Sequence, residues 1–115
     1  MHELSIAMSI VEMAEEEASQ RGGALVSAVH LKVGALAGVV RDALLASYEL
    51  ACEGTRLDGS RLIIEEVPIM VYCSTCLGQR ILDSMQWFVC PVCNNPVSEV
   101  MQGRELQVVA LEIQE

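Results

Sequence analysis

The chain has 115 residues, enough for one domain and a small appendage but not for two full domains. Its 16 acidic and 7 basic residues give a formal net charge of −9. Such a surface repels phosphate backbones, and the basic residues are dispersed, so nucleic acid is set aside as a partner. Hydrophobic residues make up 52% of the chain but aromatics only 3%, which implies an aliphatic core.

No apolar run approaches the roughly 20 residues needed to span a bilayer, so no membrane association is expected. The acidic start, with Glu3 and Glu15-Glu16-Glu17, is unlike a secretory leader. The expectation is a soluble, cytoplasmic protein. An acidic surface suits a basic protein partner or cation traffic, or simply solubility.

From Glu3 to about Gln20, Leu4, Ala7, Met8, Val11, Ala14 and Ala18 recur at three- and four-residue steps. This is the apolar face of an amphipathic helix with Glu12, Glu15, Glu16 and Gln20 turned outward, and Gly22-Gly23 ends it. A strand is expected from about Leu25 to Val33, with Val29, Leu31 and Val33 on one face and Ala28, His30 and Lys32 on the other. His30 reads as a surface histidine. After the "GALAG" turn, Leu44, Leu45, Tyr48 and Ala51 mark a second helix over about Arg41 to Cys52. Cys52, at its end, reads as a small buried residue.

"EGTRLDGS" has the composition of a loop, and "RLIIEEVPI" begins as a strand that stops at Pro68. The terminal "RELQVVALEIQE" is β-rich, with Val109, Leu111 and Ile113 on one face and Leu106, Val108 and Ala110 on the other. A lone terminal strand is unstable by itself, so it is expected to return to the first sheet. The predicted architecture is α+β: a small two-layer α/β domain, with two helices on a three-stranded mixed sheet, and an inserted zinc-ribbon-like module. The α/β domain is placed at 1–70 plus 102–115 and the module at 71–101.

Four of the five cysteines fall in two pairs, Cys73/Cys76 and Cys90/Cys93, each C-x2-C, with thirteen residues between the pairs. Outside oxidising compartments this arithmetic points to metal rather than to disulfides. Two C-x2-C turns facing each other supply four thiolates to a tetrahedral ion. Gly78 and Pro91 suit tight turns, and "RILDSMQWFV" has the length of a small hairpin with Trp87 or Phe88 packed on the site. An S4 tetrahedron accepts zinc or iron, so a rubredoxin-like electron-transfer site is the alternative. With four protein ligands the ion has no open position for catalysis.

The start, "MHE", carries a second constellation. The large His2 should keep Met1 in place. The Met1 amine, the His2 amide nitrogen and the His2 Nδ1 can close two fused chelate rings on one ion. A deprotonated amide suits square-planar Ni(II) or Cu(II) better than Zn(II). The remaining position is open to the Glu3 backbone nitrogen, the Glu3 carboxylate or another group. Equally, Glu3 suits a helix N-terminus on charge alone.

Taken together, "MHELSIAMSIVEMAEEEA", "VHLKVGALAGV", the two C-x2-C pairs and "GRELQVVALEI" closely resemble the HypA/HybF family of hydrogenase maturation factors, over nearly the whole chain. The resemblance implies a nickel-insertion metallochaperone and no enzyme. It implies that His2 is the essential Ni(II) ligand, supported by main-chain nitrogens at His2 and Glu3, and that Cys73, Cys76, Cys90 and Cys93 hold a structural Zn(II). It implies a HypB-type GTPase partner and delivery to the large subunit of [NiFe]-hydrogenase, some members also serving urease.

There are departures. An acid common near position 40 is replaced by Val40, leaving Asp42 as the nearest carboxylate, and the cysteine segment contains no histidine. Asn94 stands where a glycine is usual and tolerates the same left-handed backbone. An inserted module could also exchange between two protomers, giving a homodimer. The alternative to a metal carrier or an iron protein is an adaptor whose zinc only holds its fold.

Overall fold

Ala, Leu, Met and Glu, all strong helix formers, fill the stretch after His2, and there the chain forms helix α1 (Glu3–Gln20). The structure is a computed structural model and describes residues 2–83 and 87–114. Ala7, Val11, Ala14 and Ala18 are buried as the periodicity predicts, joined by Ile10, whereas Leu4 and Met8 remain exposed. Gly23 N–H bonds back to the Ala18 carbonyl at 2.9 Å. Gly22 and Gly23 both take positive φ, the left-handed geometry that ends a helix this way.

Strand β1 (Leu25–Gly34) follows, then helix α2 (Arg41–Cys52), with Leu44, Tyr48 and Cys52 buried at four-residue steps. The two helices pack against each other. Strand β2 (Arg61–Val67) comes next and β6 (Leu106–Gln114) ends the chain. The three strands form one sheet in the order β2-β1-β6. The expected return of the terminal strand is therefore made, and the fold is α+β. Central strand β1 buries Val29, Leu31 and Val33 and also Ala28. Edge strand β6 buries no residue fully, and Val109 is 49% exposed.

Pro68 separates β2 from β3 (Ile69–Cys73) without ending the extended chain. Here the cysteine segment shows what the sequence reading did not contain, a sheet of its own. Strands β3, β4 (Gly78–Leu82) and β5 (Glu99–Gln102) run in the order β4-β3-β5, and both pairings are antiparallel. The hairpin expected over 80–89 has its middle, 84–86, outside the described residues. Its described first half pairs instead with β3, Leu82 opposite Ile69 and Arg80 opposite Val71, while Val89 bridges to Pro96.

The contacts divide the chain into two units: Met1–Leu31, Val39–Glu65 and Gln107–Glu115 in one, Lys32–Gly38 and Glu66–Leu106 in the other. The first has an aliphatic core from the buried residues of α1, α2 and β1. Its 53–60 loop is held inward by the buried Leu57 and by Arg56, whose backbone N–H and Nη1 both donate to the Glu15 carboxylate. The second is built on Ile69, Val71, Leu82 and Val97 packed with Cys73 and Cys90. Among the described residues no helix is long and apolar enough to cross a membrane.

Candidate metal centres

The first C-x2-C turn leaves the end of β3 and the second follows the Val89 bridge. Together they place the four sulfurs of Cys73, Cys76, Cys90 and Cys93 within 4.8 Å of one another. Cys73 Sγ lies 3.6 Å from Cys93 Sγ, and Cys76 Sγ 3.9 Å from Cys90 Sγ. A tetrahedron with Zn–S bonds near 2.3 Å separates its sulfurs by about 3.8 Å, so the donor set and its spacing fit zinc. Local hydrogen bonds shape the turns. Cys76 N–H points at Cys73 Sγ at 3.4 Å, Asn95 Nδ2 donates to Cys93 Sγ at 3.5 Å, and Asn94 N–H bonds to the Cys90 carbonyl at 2.8 Å.

The residue after each pair takes a left-handed backbone: Leu77 at φ 55° and Asn94 at φ 62°. Asn94 thus does what its chemistry allows. Gly78 does not take positive φ. Its missing side chain serves space instead, because a β-carbon there would lie 2.9 Å from Arg80 Nη1. Of the two aromatics expected on the site, Phe88 packs against this core and Trp87 is 71% exposed.

The thiols do not behave alike. Burial pushes Cys90 up, but the N–H groups of Cys93 and Val92 and the Cys73 and Cys93 thiols outweigh it and bring Cys90 to about 6. Cys76 is pushed up to about 12, first by the Cys93 sulfur beside it and then by burial. Sulfurs this close cannot all ionise on their own. A dication removes that conflict, which is the electrostatic reason the cluster suits a metal.

At the other constellation, His2 is the exposed N-cap of α1, and its imidazole makes no capping hydrogen bond. Glu3 is the first helical residue. Its Oε2 accepts a hydrogen bond from the backbone N–H of Val40 at 3.0 Å. That bond, then Glu3's own N–H, holds the Glu3 carboxyl below its ordinary range. Val40, which has no metal-binding side chain, therefore enters through its backbone, and no sequence signal marked it. Asp42 Oδ1 lies 3.8 Å from Arg41 Nη1, with a side chain 94% exposed. Met1, the third expected nickel ligand, lies outside the described residues.

The remaining candidates also have places. Cys52 is buried at 2% exposure, as expected, with its Sγ 3.8 Å from Ser60 Oγ. His30 is not an idle surface residue, because its Nε2 lies 2.7 Å from Oε2 of Glu112 on β6.

Residues 1–113 match the family described as "Hydrogenase/urease nickel incorporation, metallochaperone, hypA". The chain belongs to the HypA family. All 115 residues align at 50% identity with the hydrogenase maturation factor HypA of Roseiflexus sp. (strain RS-1), covering 94% of that protein. Against the HypA of Chloroflexus aurantiacus the identity is 52%, over 97% of this chain and 98% of that one.

The fold is shared with the solution structure of the Ni metallochaperone HypA from Helicobacter pylori. The TM-score is 0.64 at 22% identity, covering 98% of this chain and 97% of that chain. A second HypA solution structure gives a TM-score of 0.71 at 22% identity, covering 99% and 97%. HypA proteins are metallochaperones of hydrogenase maturation, not enzymes. This chain adds to that family membership a four-cysteine site that fits zinc.

Proposed function

We propose that the protein carries Ni(II) at its N-terminus and helps insert it into the large subunit of [NiFe]-hydrogenase. The observation that carries this reading is the state of His2: exposed, at the head of α1, with an imidazole free of any capping bond. The first four N–H groups of a helix have no intrahelical acceptor, so the nitrogens needed beside the imidazole are not locked in the helix ladder. The Met1 amine, the His2 imidazole and amide, and the Glu3 amide are the donors. The Glu3 carboxylate is engaged with Val40, which favours the Glu3 main-chain nitrogen over its side chain. Nickel is cargo here: it enters and leaves, and no bond is made or broken in a substrate.

In this reading 1–70 plus 102–115 form the nickel domain and 71–101 the zinc module, whose ion supplies cross-linking of the two turns and no chemistry. Zinc rather than iron is assigned because a closed, redox-silent tetrathiolate suits a structural role. A purified chain without visible thiolate–iron absorption agrees with that, and a coloured one overturns it. The protein works in the cytoplasm with a HypB-type GTPase, which meets the acidic face of α1. Glu12 and Glu16 are exposed there, and charge reversal at both should weaken that complex. A homodimer formed by module exchange fits the inserted connection and is tested by its mass in solution.

The deciding experiment is calorimetric nickel titration of the wild type, of His2→Ala and of a chain with one residue added before Met1. His2→Ala should lose the site and keep its zinc. The added residue turns the Met1 amine into an amide and should weaken binding strongly if that amine is a ligand. Undiminished nickel affinity in His2→Ala overturns the reading.

A further inference from the structure

Arg80 is the only basic residue between the two cysteine pairs. It sits on β4 opposite Val71, two residues beyond Gly78, which pairs with Cys73. Gly78 and Arg80 share one face of the strand, and the guanidinium folds back over the side-chain-free position 78. Nη1 donates to the Gln79 carbonyl at 2.8 Å. The side chain lies within hydrogen-bonding reach of the sulfurs of Cys76 and Cys90. Arg80 Nε is buried, and among the described residues it has no hydrogen-bond partner. A buried donor left this way is costly, and a native fold keeps one where a partner is supplied.

Four thiolates around a dication leave a net charge of about −2 at the site, within a chain that is already acidic. We propose that Arg80 is the outer cation of this site. With the metal held, its guanidinium donates to the Cys76 and Cys90 thiolates, satisfies the orphaned Nε–H and offsets half of the excess charge. Such hydrogen bonds draw electron density from sulfur and hold the ligands in register, so the metal leaves more slowly. Gly78 is the positioning residue for this contact. The inference rests on reading the four cysteines as a metal site.

The test uses the full chain loaded with cobalt in place of zinc, where the thiolate-to-metal charge-transfer band reports electron density on sulfur. In Arg80→Gln the band should move to lower energy, and zinc affinity, measured by chelator competition, should fall about tenfold. Gly78→Ala keeps the charge but pushes the guanidinium aside, and should move the band in the same direction by less. The wild type gives a readout that needs no variant to fold. Exchanging zinc for cadmium should shift the guanidinium nitrogen resonances of Arg80 more than those of the exposed Arg61. An unchanged band in Arg80→Gln, or Arg80 resonances that move no more than those of Arg61, overturns the inference and leaves the zinc reading intact. A wild type that takes up no cobalt on its four sulfurs overturns both.

Discussion

The backbone N–H of Val40 donates to Oε2 of Glu3 at 3.0 Å, so the first residue of α1 is tied to the residue that caps α2. The carboxyl of Glu3 is held low chiefly by this bond, which means the ionised form makes it. A depressed pKa contributes stability above the unfolded carboxyl's pKa, and that contribution is lost as pH falls through the folded value. The Val40 amide resonance should therefore titrate with a midpoint below the ordinary glutamate range. In Glu3→Ala it should stop titrating and exchange faster with solvent. Equal protection in that variant would contradict the link.

The same residue separates main-chain from side-chain nickel ligation. Glu3 is the first helical position after His2, where proline is well tolerated, and His2 already has the extended backbone that a following proline requires. Glu3→Pro should keep α1 by circular dichroism yet abolish tight nickel binding, because it has no amide proton to lose. Glu3→Gln, which keeps the amide, should retain most of the affinity. Binding should weaken on acidification in the wild type, since protons compete for the same nitrogens. Full nickel binding by Glu3→Pro would remove the Glu3 amide from the ligand set.

Wild type should hold about one zinc per chain, and Cys73→Ala or Cys93→Ala should release it. Cys73 and Cys90 are part of the core that contains Ile69, Val71, Leu82 and Val97, so metal loss and core loss should coincide. Both helices lie in the other unit, and far-ultraviolet helix signal should largely survive. Retention of a full zinc equivalent by either variant would sink the assignment.

Leu77 and Asn94 both hold φ in the left-handed region, at 55° and 62°. A left-handed conformation costs an ordinary side chain about 1–2 kcal/mol. Asn94→Val should destabilise the metal-loaded second unit by about that much. Leu77 is 76% exposed and loses little packing on truncation, so Leu77→Gly should be neutral or stabilising by up to about 1 kcal/mol. Thermal melts of the zinc-loaded variants give both values.

Both helices and the metal-ligand spacing are local properties, and they were legible in the chain. Apolar residues at three- and four-residue steps marked α1 and α2, and Gly22-Gly23 marked where the first one stops. Each C-x2-C pair puts two sulfurs on one tight turn whatever the rest of the fold does, and the fold then brings the two turns together. Asn94 could be read in the same way, from the tolerance of its own side chain. The chelate proposed at the "MHE" start is of the same local kind, since its donors are adjacent along the backbone.

Contacts between residues far apart in sequence depend on how the strands are ordered. The carboxylate of Glu3 meets an amide 37 positions away, and His30 meets Glu112 82 positions away. Neither is implied by the periodicity of its own segment. Strand order also decided burial: β1 is central and hides Ala28 along with Val29, while the equally apolar β6 is an edge and leaves Val109 half exposed. In the cysteine segment, β4 pairs with β3, and Arg80 is set over Gly78. Side-chain alternation fixes only which residues share a face; which face meets the sulfurs depends on register, and register is a property of two strands together.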